Sequence, residues 1–258
     1  MGSSPNGPIA REPLTLASLV TEAASIYRAR PLLFLAIMAF VALPVEVVRV
    51  IANLADPERG GTGGRVVSAV LQIVPAALVL PIGAVAATVA TILIASGHPA
   101  SARLAFAPVG ARLLPLIGTL VIVAIAVVGG FAFILPGIFL LVLLAFAGRV
   151  AVVEGRGVWG ALTRSAELVR GAWWEVFAGI VATEVLANVV RFGVLELLGL
   201  AIDDLPRTAE VVMFGALSVV VSCIVLPYGA IGVALLYFDR RLRREGAWPD
   251  PHPRDLSP

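Results

Sequence analysis

The sequence has no lysine, one cysteine and two histidines. Without lysine there can be no Walker-type phosphate loop, since that loop depends on its lysine. Cys223 alone can form neither an internal disulfide nor a thiol-rich metal site. His98 and His252 fit no metal-ligand spacing, and no G-x-S-x-G or H-E-x-x-H motif occurs. We therefore expect no enzyme, no metal site and no cofactor.

Charge is also scarce. Charged residues make up 14% of the chain and hydrophobic residues 59%, whereas soluble domains carry about 25% charged residues. Uncharged runs cover residues 66–102, 113–148 and 211–238. Each is longer than the roughly 20 residues that cross a bilayer as a helix. The composition predicts an all-α, polytopic membrane protein.

The apolar runs predict six transmembrane helices. The first covers residues 31–52, and the second lies within 66–95. The run 113–148 would be about 54 Å long as one helix, so we expect two short spans with a turn between Gly129 and Gly137. The fifth, 173–200, is interrupted by four charged residues, and the sixth covers 211–238.

Amphipathic segments separate these spans. Apolar residues recur at helical spacing over residues 14–30 and 158–170, which predicts helices that lie at the membrane surface. A weaker segment with Pro108 and Gly110 precedes the third span. We infer three tandem units, residues 14–96, 99–154 and 157–239, each an interfacial helix followed by a transmembrane hairpin.

These units form one predicted membrane domain, residues 14–239. Residues 1–13 are predicted to be a disordered tail, because they are rich in glycine, serine and proline. Residues 240–258 are predicted to be a basic and then Pro-rich cytoplasmic tail.

All 19 basic residues are arginine, and their distribution predicts the orientation. With six spans, fourteen arginines fall on the side of the two termini and five on the other. Because cytoplasmic loops are enriched in basic residues, both termini are predicted to be cytoplasmic. The cluster at residues 240–244 predicts affinity for anionic lipids. No basic face is interleaved with aromatic residues, so no nucleic-acid partner is expected.

Proline and glycine recur together in the second span of each unit. They are Pro81 and Gly83, Pro136 and Gly137, and Pro227 and Gly229. Such pairs let a helix bend and a neighbour approach closely. They indicate either packing kinks or a bent-helix substrate site of the kind found in transporters.

Glu184 is the main candidate for an intramembrane site. It follows Trp174 by ten residues, about 15 Å, which places it near the middle of the bilayer. An acid at that depth is either hydrogen bonded for structural reasons or coupled to an ion or substrate. Its expected partner is Arg191 or a polar group on another span.

A second candidate is the pair Glu46 and Arg49. The motif Glu46-Val-Val-Arg49 matches Asn188-Val-Val-Arg191 at the corresponding end of the fifth span. These residues are predicted to lie near the outer interface, either as snorkelling pairs or as an anionic-lipid site.

Four segments in order resemble a known family. They are PLTLASLVTEAASIYRARPLLFL, Leu135-Pro136-Gly137-Ile138, VVEGRGVWGALTRSAELVRGAWW and YFDRRLRREG. Over residues 13–246 the chain resembles bacterial membrane proteins related to the membrane domain of glycerophosphoryl diester phosphodiesterase. The resemblance implies about six helices in the cytoplasmic membrane, and it places Ser165 and Trp174 in a family motif. It implies no catalysis, since the hydrolase of the fused enzymes is a separate soluble domain that nothing here matches.

The sequence therefore predicts a non-enzymatic multi-pass membrane protein, a scaffold or a factor in envelope-lipid or membrane-protein organisation. The alternative is a small transporter or permease subunit with a site near Glu184. Expected partners are the lipid bilayer, including anionic lipids, with a membrane-protein partner or a homo-oligomer left open.

Overall fold

A computed structural model describes residues 14–55 and 61–246. The predicted disordered tail, residues 1–13, and the Pro-rich segment 247–258 lie outside the described residues, as does the loop segment 56–60. Within the described residues every regular element is a helix, which confirms the all-α class.

The described residues form eleven α-helices and one π-helical turn. Three short helices each precede a long one: α1 (Leu16–Ala29), α4 (Ala102–Ala111) and α8 (Val158–Val169). Four long helices are unbroken: α2 (Pro31–Leu54), α3 (Gly61–Ala95), α5 (Leu113–Phe131) and α11 (Arg207–Glu245). Another segment consists of α6 (Ile134–Leu143) and α7 (Ala147–Val153), and a further one of α9 (Trp173–Ile180), the π turn Val181–Val185 and α10 (Leu186–Leu200).

Six helical segments are long and apolar enough to cross a membrane, which confirms the predicted number. They are Pro31–Leu54, Ala69–Ala95, Leu113–Phe131, Ile134–Val153, Trp173–Leu200 and Arg207–Glu245. The turn predicted between Gly129 and Gly137 is formed by residues 132–133. The helix order matches that of the three predicted units, whose equivalence stays a prediction.

Local chemistry explains several helix ends. The Thr15 hydroxyl accepts a hydrogen bond from the Ser18 backbone, and the Ser18 hydroxyl accepts one from the Thr15 backbone, so α1 begins with a capping box. Pro31 begins α2, where its missing N–H has no intrahelical partner to lose. Gly246 ends α11 with φ +67°, a conformation that favours glycine.

The predicted bend positions Pro136 and Gly137 lie in the first turn of α6, next to the hairpin turn at residues 132–133. Pro136 is the third residue of α6, where a helix has no acceptor for the missing N–H. A Cβ on Gly137 would lie 2.7 Å from the backbone nitrogen of Phe131, so only glycine lets α6 fold back on α5 this tightly. Pro81 and Pro227 differ from Pro136, since they lie inside α3 and α11.

The fourth span is interrupted at residues 144–146, between α6 and α7. Ser165 on α8 bonds to both sides of this break, since its hydroxyl donates to the carbonyl of Leu143 at 2.9 Å and accepts from the N–H of Phe146 at 3.2 Å. Ser165 is fully buried and thus attaches the surface helix α8 to the span.

Helix α11 is the centre of the bundle. Its span is 67% buried, whereas the span formed by α5 is 17% buried. α11 also continues beyond Phe238, the predicted end of the sixth span, to Glu245. The arginines at 240–244, at the start of the predicted basic tail, are therefore helical. At 39 residues and about 1.5 Å per residue, α11 is longer than the bilayer core is thick.

Both ends of the described chain lie on one side of the bundle. The N–H of Leu14 donates to Asp239 at 3.0 Å, and Arg243 donates to the carbonyl of Leu14 at 3.4 Å. We call this side the terminal face.

Candidate functional site

Glu46 and Arg49 form an ion pair of 2.9 Å on α2. Glu46 also accepts a hydrogen bond of 3.0 Å from Ser218 on α11 and is only 7% exposed. The pair lies in the half of the bundle away from the terminal face, because α2 begins near that face and Glu46 comes fifteen residues after Pro31. The carboxylate therefore joins two spans.

Arg191 belongs to the same group. Its Nε donates to Ser222 at 2.9 Å, and its guanidinium lies 4.9 Å from the centre of the Phe192 ring. It also interacts electrostatically with Glu46 and Arg49. Together α2, α10 and α11 thus build a distal polar cluster, which consists of Glu46, Arg49, Arg191, Ser218 and Ser222. The sequence placed the two motifs at corresponding helix ends, and the structure brings them together.

Glu184 lies in the π turn, which the sequence did not predict. The Asn188 amide donates to the Glu184 backbone carbonyl at 2.9 Å. The half-buried carboxylate faces Gly229 of α11, where a Cβ would be 2.6 Å from Glu184 Oε2. π turns occur often at functional sites in helices. Gly229, a predicted bend position, thus provides the space that the acid occupies.

The charged group that interacts with Glu184 is Arg149, on another span. Of the two expected partners, Arg191 bonds to Ser222, and Arg149 on another span attracts the carboxylate without an ion pair within 4 Å. Arg149 Nε donates to Thr88 of α3 at 3.1 Å, and its Nη1 donates to the Ala145 carbonyl at 3.1 Å. Thr88, Arg149 and Glu184 form the proximal polar cluster.

The position of Arg149 corrects the topology that the sequence predicted. It was placed in a loop after the fourth span, but it lies in α7 inside that span and is buried. The four apolar residues 150–153 that follow it were the available signal, since they continue the helix toward the terminal face.

Further polar residues lie between this cluster and the terminal face. Arg149 interacts electrostatically with Tyr237, whose hydroxyl donates to Glu154 at 2.9 Å. Glu154 also accepts from Arg156 and from Arg164, each at 3.1 Å. Sequence reasoning did not single out Tyr237 or Glu154, because their partners come from distant parts of the chain.

The contacts around Glu154 form one wall of a cleft of about 370 Å³, which we call the arginine cleft. It is lined by Arg112, Val153, Glu154, Arg156, Arg164, Arg241 and Glu245. Glu245 pairs with Arg164 and, at 2.8 Å, with Arg241.

A second cleft of about 450 Å³ lies between α1, α9 and α11. Its charges are Glu175, Asp239, Arg240 and Arg243, and they pair with one another. Arg240 lies 3.1 Å from Glu175, and Arg243 lies 2.8 Å from Asp239. We call it the balanced cleft, because its formal charges sum to zero.

Cys223 and Trp174 lie outside the two polar clusters. Cys223 is buried in α11. Trp174 is exposed on α9, and its neighbour Trp173 stacks on Phe139 and Phe177. Within residues 14–55 and 61–246, no three histidine, cysteine or acidic side chains are grouped as metal ligands.

The chain was compared with protein-family models, with curated proteins and with solved structures, and none of them matches it.

Proposed function

We propose that this chain is a non-enzymatic scaffold of the bacterial cytoplasmic membrane, which organises envelope lipids or partner membrane proteins. In this proposal it is a stand-alone relative of the membrane domain of glycerophosphoryl diester phosphodiesterase. One observation carries it: three charged side chains inside the spans, Glu46, Arg149 and Arg191, bond to other helices of the same chain.

The distal polar cluster ties α2 and α10 to α11 through Ser218 and Ser222. The proximal polar cluster ties α7 to α3 through Arg149 and Thr88. Interhelical hydrogen bonds in membranes contribute on average about 0.6 kcal/mol each, so several are needed to hold a bundle with little apolar driving force. Side chains that bond to other helices in this way stabilise the bundle and are not available to bind a transported molecule.

The alternative function is transport through a site at Glu184. The π turn at Val181–Val185, the glycine opposite it and the electrostatic attraction of Glu184 by the buried Arg149 favour this alternative. A carboxylate and a guanidinium that both lie within the spans could exchange a proton or bind a small ion.

Flux through purified protein in liposomes separates the two functions. The probe is the proton, followed with a pH-sensitive dye trapped inside the liposomes after a pH jump. The variants are Glu184→Gln and, as a matched control, Glu196→Gln, which removes an exposed carboxylate from the same span. A scaffold predicts that wild type and both variants leak as slowly as empty liposomes. Proton flux that only Glu184→Gln abolishes would replace the scaffold with the transporter.

A complementation experiment tests the scaffold directly. We expect deletion of the gene in its host to change the lipid composition or the abundance of other membrane proteins, measured by mass spectrometry. We expect Glu184→Gln to restore both, because the amide keeps the size of the side chain. Unchanged lipids and membrane proteins in the deletion strain would contradict the scaffold. Hydrolysis of glycerophosphodiesters by the purified chain would contradict its non-enzymatic character.

A further inference from the structure

The arginine cleft is built from four separate parts of the chain at the terminal face. Arg112 stands between α4 and α5, and Arg156 lies in the connection between α7 and α8. Arg164 comes from α8, and Arg241 comes from the end of α11. Guanidinium groups that repel one another are brought together here by the fold and not by a single basic segment.

The cleft carries excess positive charge. Its lining has four guanidinium groups and two carboxylates, which leaves a net charge of +2. The carboxylates are engaged within the lining, since Glu154 bonds to Arg156 and Arg164 and Glu245 pairs with Arg164 and Arg241. Arg164, with a side chain 12% exposed, is therefore held by acids on two sides. The ion pairs hold the arginines of the lining in place, and the two carboxylates neutralise only half of the positive charge.

Arg112 is the guanidinium without an acid. Among the described residues it makes no ion pair, and it lies against the backbone of Gly155. Gly155 has φ +68°, and a Cβ at this position would overlap the Arg112 guanidinium. The connection between α7 and α8 thus leaves room for this side chain in two ways, through the left-handed turn and through the absent Cβ.

Arginine binds phosphate with paired, charge-assisted hydrogen bonds, so an oxyanion with several oxygens suits this cleft. The surroundings match the headgroup level of a bilayer. Trp159 on α8 is 72% exposed, as tryptophans of the membrane interface are. Leu114, two residues after Arg112 on α5, is 83% exposed and would lie beside acyl chains.

We propose that the arginine cleft binds a phosphate group, carried by an anionic phospholipid headgroup or supplied as soluble phosphate. The site follows from the charge and geometry of the cleft, and it does not require the scaffold function. The balanced cleft, with no net charge, provides an internal comparison.

The experiment uses the full-length protein in uncharged detergent. Retention of phosphatidylglycerol against phosphatidylcholine is measured by native mass spectrometry, and the thermal midpoint is measured with and without inorganic phosphate. The main variant is Arg112→Gln, which breaks no ion pair of the lining. The control Arg103→Gln makes the same charge change on the neighbouring helix α4, at an exposed position outside the cleft.

We expect wild type to retain phosphatidylglycerol in preference to phosphatidylcholine. We expect Arg112→Gln to weaken that retention roughly tenfold, the effect of losing one charged hydrogen-bonding group, while Arg103→Gln stays near wild type. Arg156→Gln is the second cleft variant, used if Arg112→Gln elutes as aggregate in size exclusion.

The two arms identify the source of the phosphate. Retained phosphatidylglycerol without a shift from inorganic phosphate assigns a lipid headgroup, and the reverse result assigns soluble phosphate. The proposal is overturned if neither ligand is bound, or if the cleft variants and Arg103→Gln lose binding equally. If the wild-type protein binds phosphate in this cleft but does not complement deletion of its own gene, the result contradicts the scaffold function and leaves the phosphate site in place.

Discussion

Single glycines decide how closely the spans of this protein approach one another. Gly229 on α11 faces Glu184, and Gly83 on α3 faces Val41 on α2, where a Cβ would be 2.5 Å from a methyl carbon. Both glycines were recognised from the Pro and Gly pattern. Their partners could not be recognised, because they lie far away in sequence and no spacing rule connects them.

Substitution of Gly229 by alanine tests the contact with Glu184. The new Cβ would be 2.6 Å from Glu184 Oε2 and 3.3 Å from Glu184 Cα. The acid side chain can turn away, but the backbone cannot, so we expect Gly229→Ala to lower the free energy of unfolding by about 1–3 kcal/mol. The part of the loss that comes from the carboxylate should disappear in the double variant with Glu184→Ala, and the part that comes from the backbone should remain. Thermal unfolding in detergent measures both.

The matched control is Gly193→Ala in α10, where a Cβ would meet nothing within 4 Å. Alanine stabilises a helix relative to glycine by about 0.5–1 kcal/mol, so this variant should be neutral or slightly more stable. Equal behaviour of the two alanine variants would mean that α11 and the π turn do not pack as described.

At the residue scale, an arginine was also harder to place than an acid. Glu184 stood out because it interrupts an apolar run in its middle. Arg149 stood at the end of such a run, where snorkelling arginines are common. Its burial depends on Thr88 of α3, a contact across 61 residues that only the fold supplies.

At the scale of elements, the α5–α6 hairpin depends on two glycines at its turn. Gly130 and Gly137 face each other, and a Cβ on Gly130 would be 2.9 Å from Gly137 Cα. The turn region was predicted from length, because one helix of 36 residues does not fit a bilayer. The sequence could not show that a glycine contact, and not a proline bend, closes the hairpin.

We expect Gly137→Ala to destabilise this hairpin. The Cβ would meet backbone atoms of Phe131 at 2.7 and 2.9 Å, and backbone cannot move aside as a side chain can. An overpacked contact of this kind costs about 1–3 kcal/mol, which should lower the thermal midpoint and raise protease cleavage near the turn. Gly129→Ala is the control, since nothing lies within 4 Å of its Cβ. A Gly137→Ala protein as stable as the control would contradict the tight turn.

The π turn in the fifth span is the element that sequence patterns missed. Apolar periodicity gives the same signal for α and π turns over five residues, whereas the difference between them is set by packing on α11. Thr183 and Gly179 contact α11 through Gly232 and Leu236. These small contacts position the turn and thereby Glu184.

For the whole molecule, the arginine distribution predicts one orientation in the membrane. The hydrogen bonds of Leu14 and Arg243 place both described ends on one face, as an even number of spans requires. Fourteen arginines were assigned to the predicted cytoplasmic side, and thirteen remain there once Arg149 is placed inside the fourth span. We propose that this face is cytoplasmic.

Reporter fusions measure this orientation. We expect green fluorescent protein fused after Gly246 to fluoresce and alkaline phosphatase at the same position to be inactive. We expect alkaline phosphatase inserted after residue 203, between α10 and α11, to be active, because that loop lies on the opposite side. An active phosphatase after Gly246 would contradict the proposed orientation.

The sequence by itself determined that this protein lies in a membrane, that its fold is all-α and that it has six spans. These follow from the length of apolar runs and the 1.5 Å rise of a helix, which need no knowledge of neighbours. Only the tertiary structure decided which polar groups meet. Glu46 with Ser218 and Arg112 with Gly155 are contacts between helices or loops distant in sequence, and Glu184 is attracted electrostatically by Arg149 of another span. A helix that spans the bilayer satisfies its backbone hydrogen bonds within itself, whereas the pairing of helices depends on local shape and hydrogen bonds that a one-dimensional pattern does not contain.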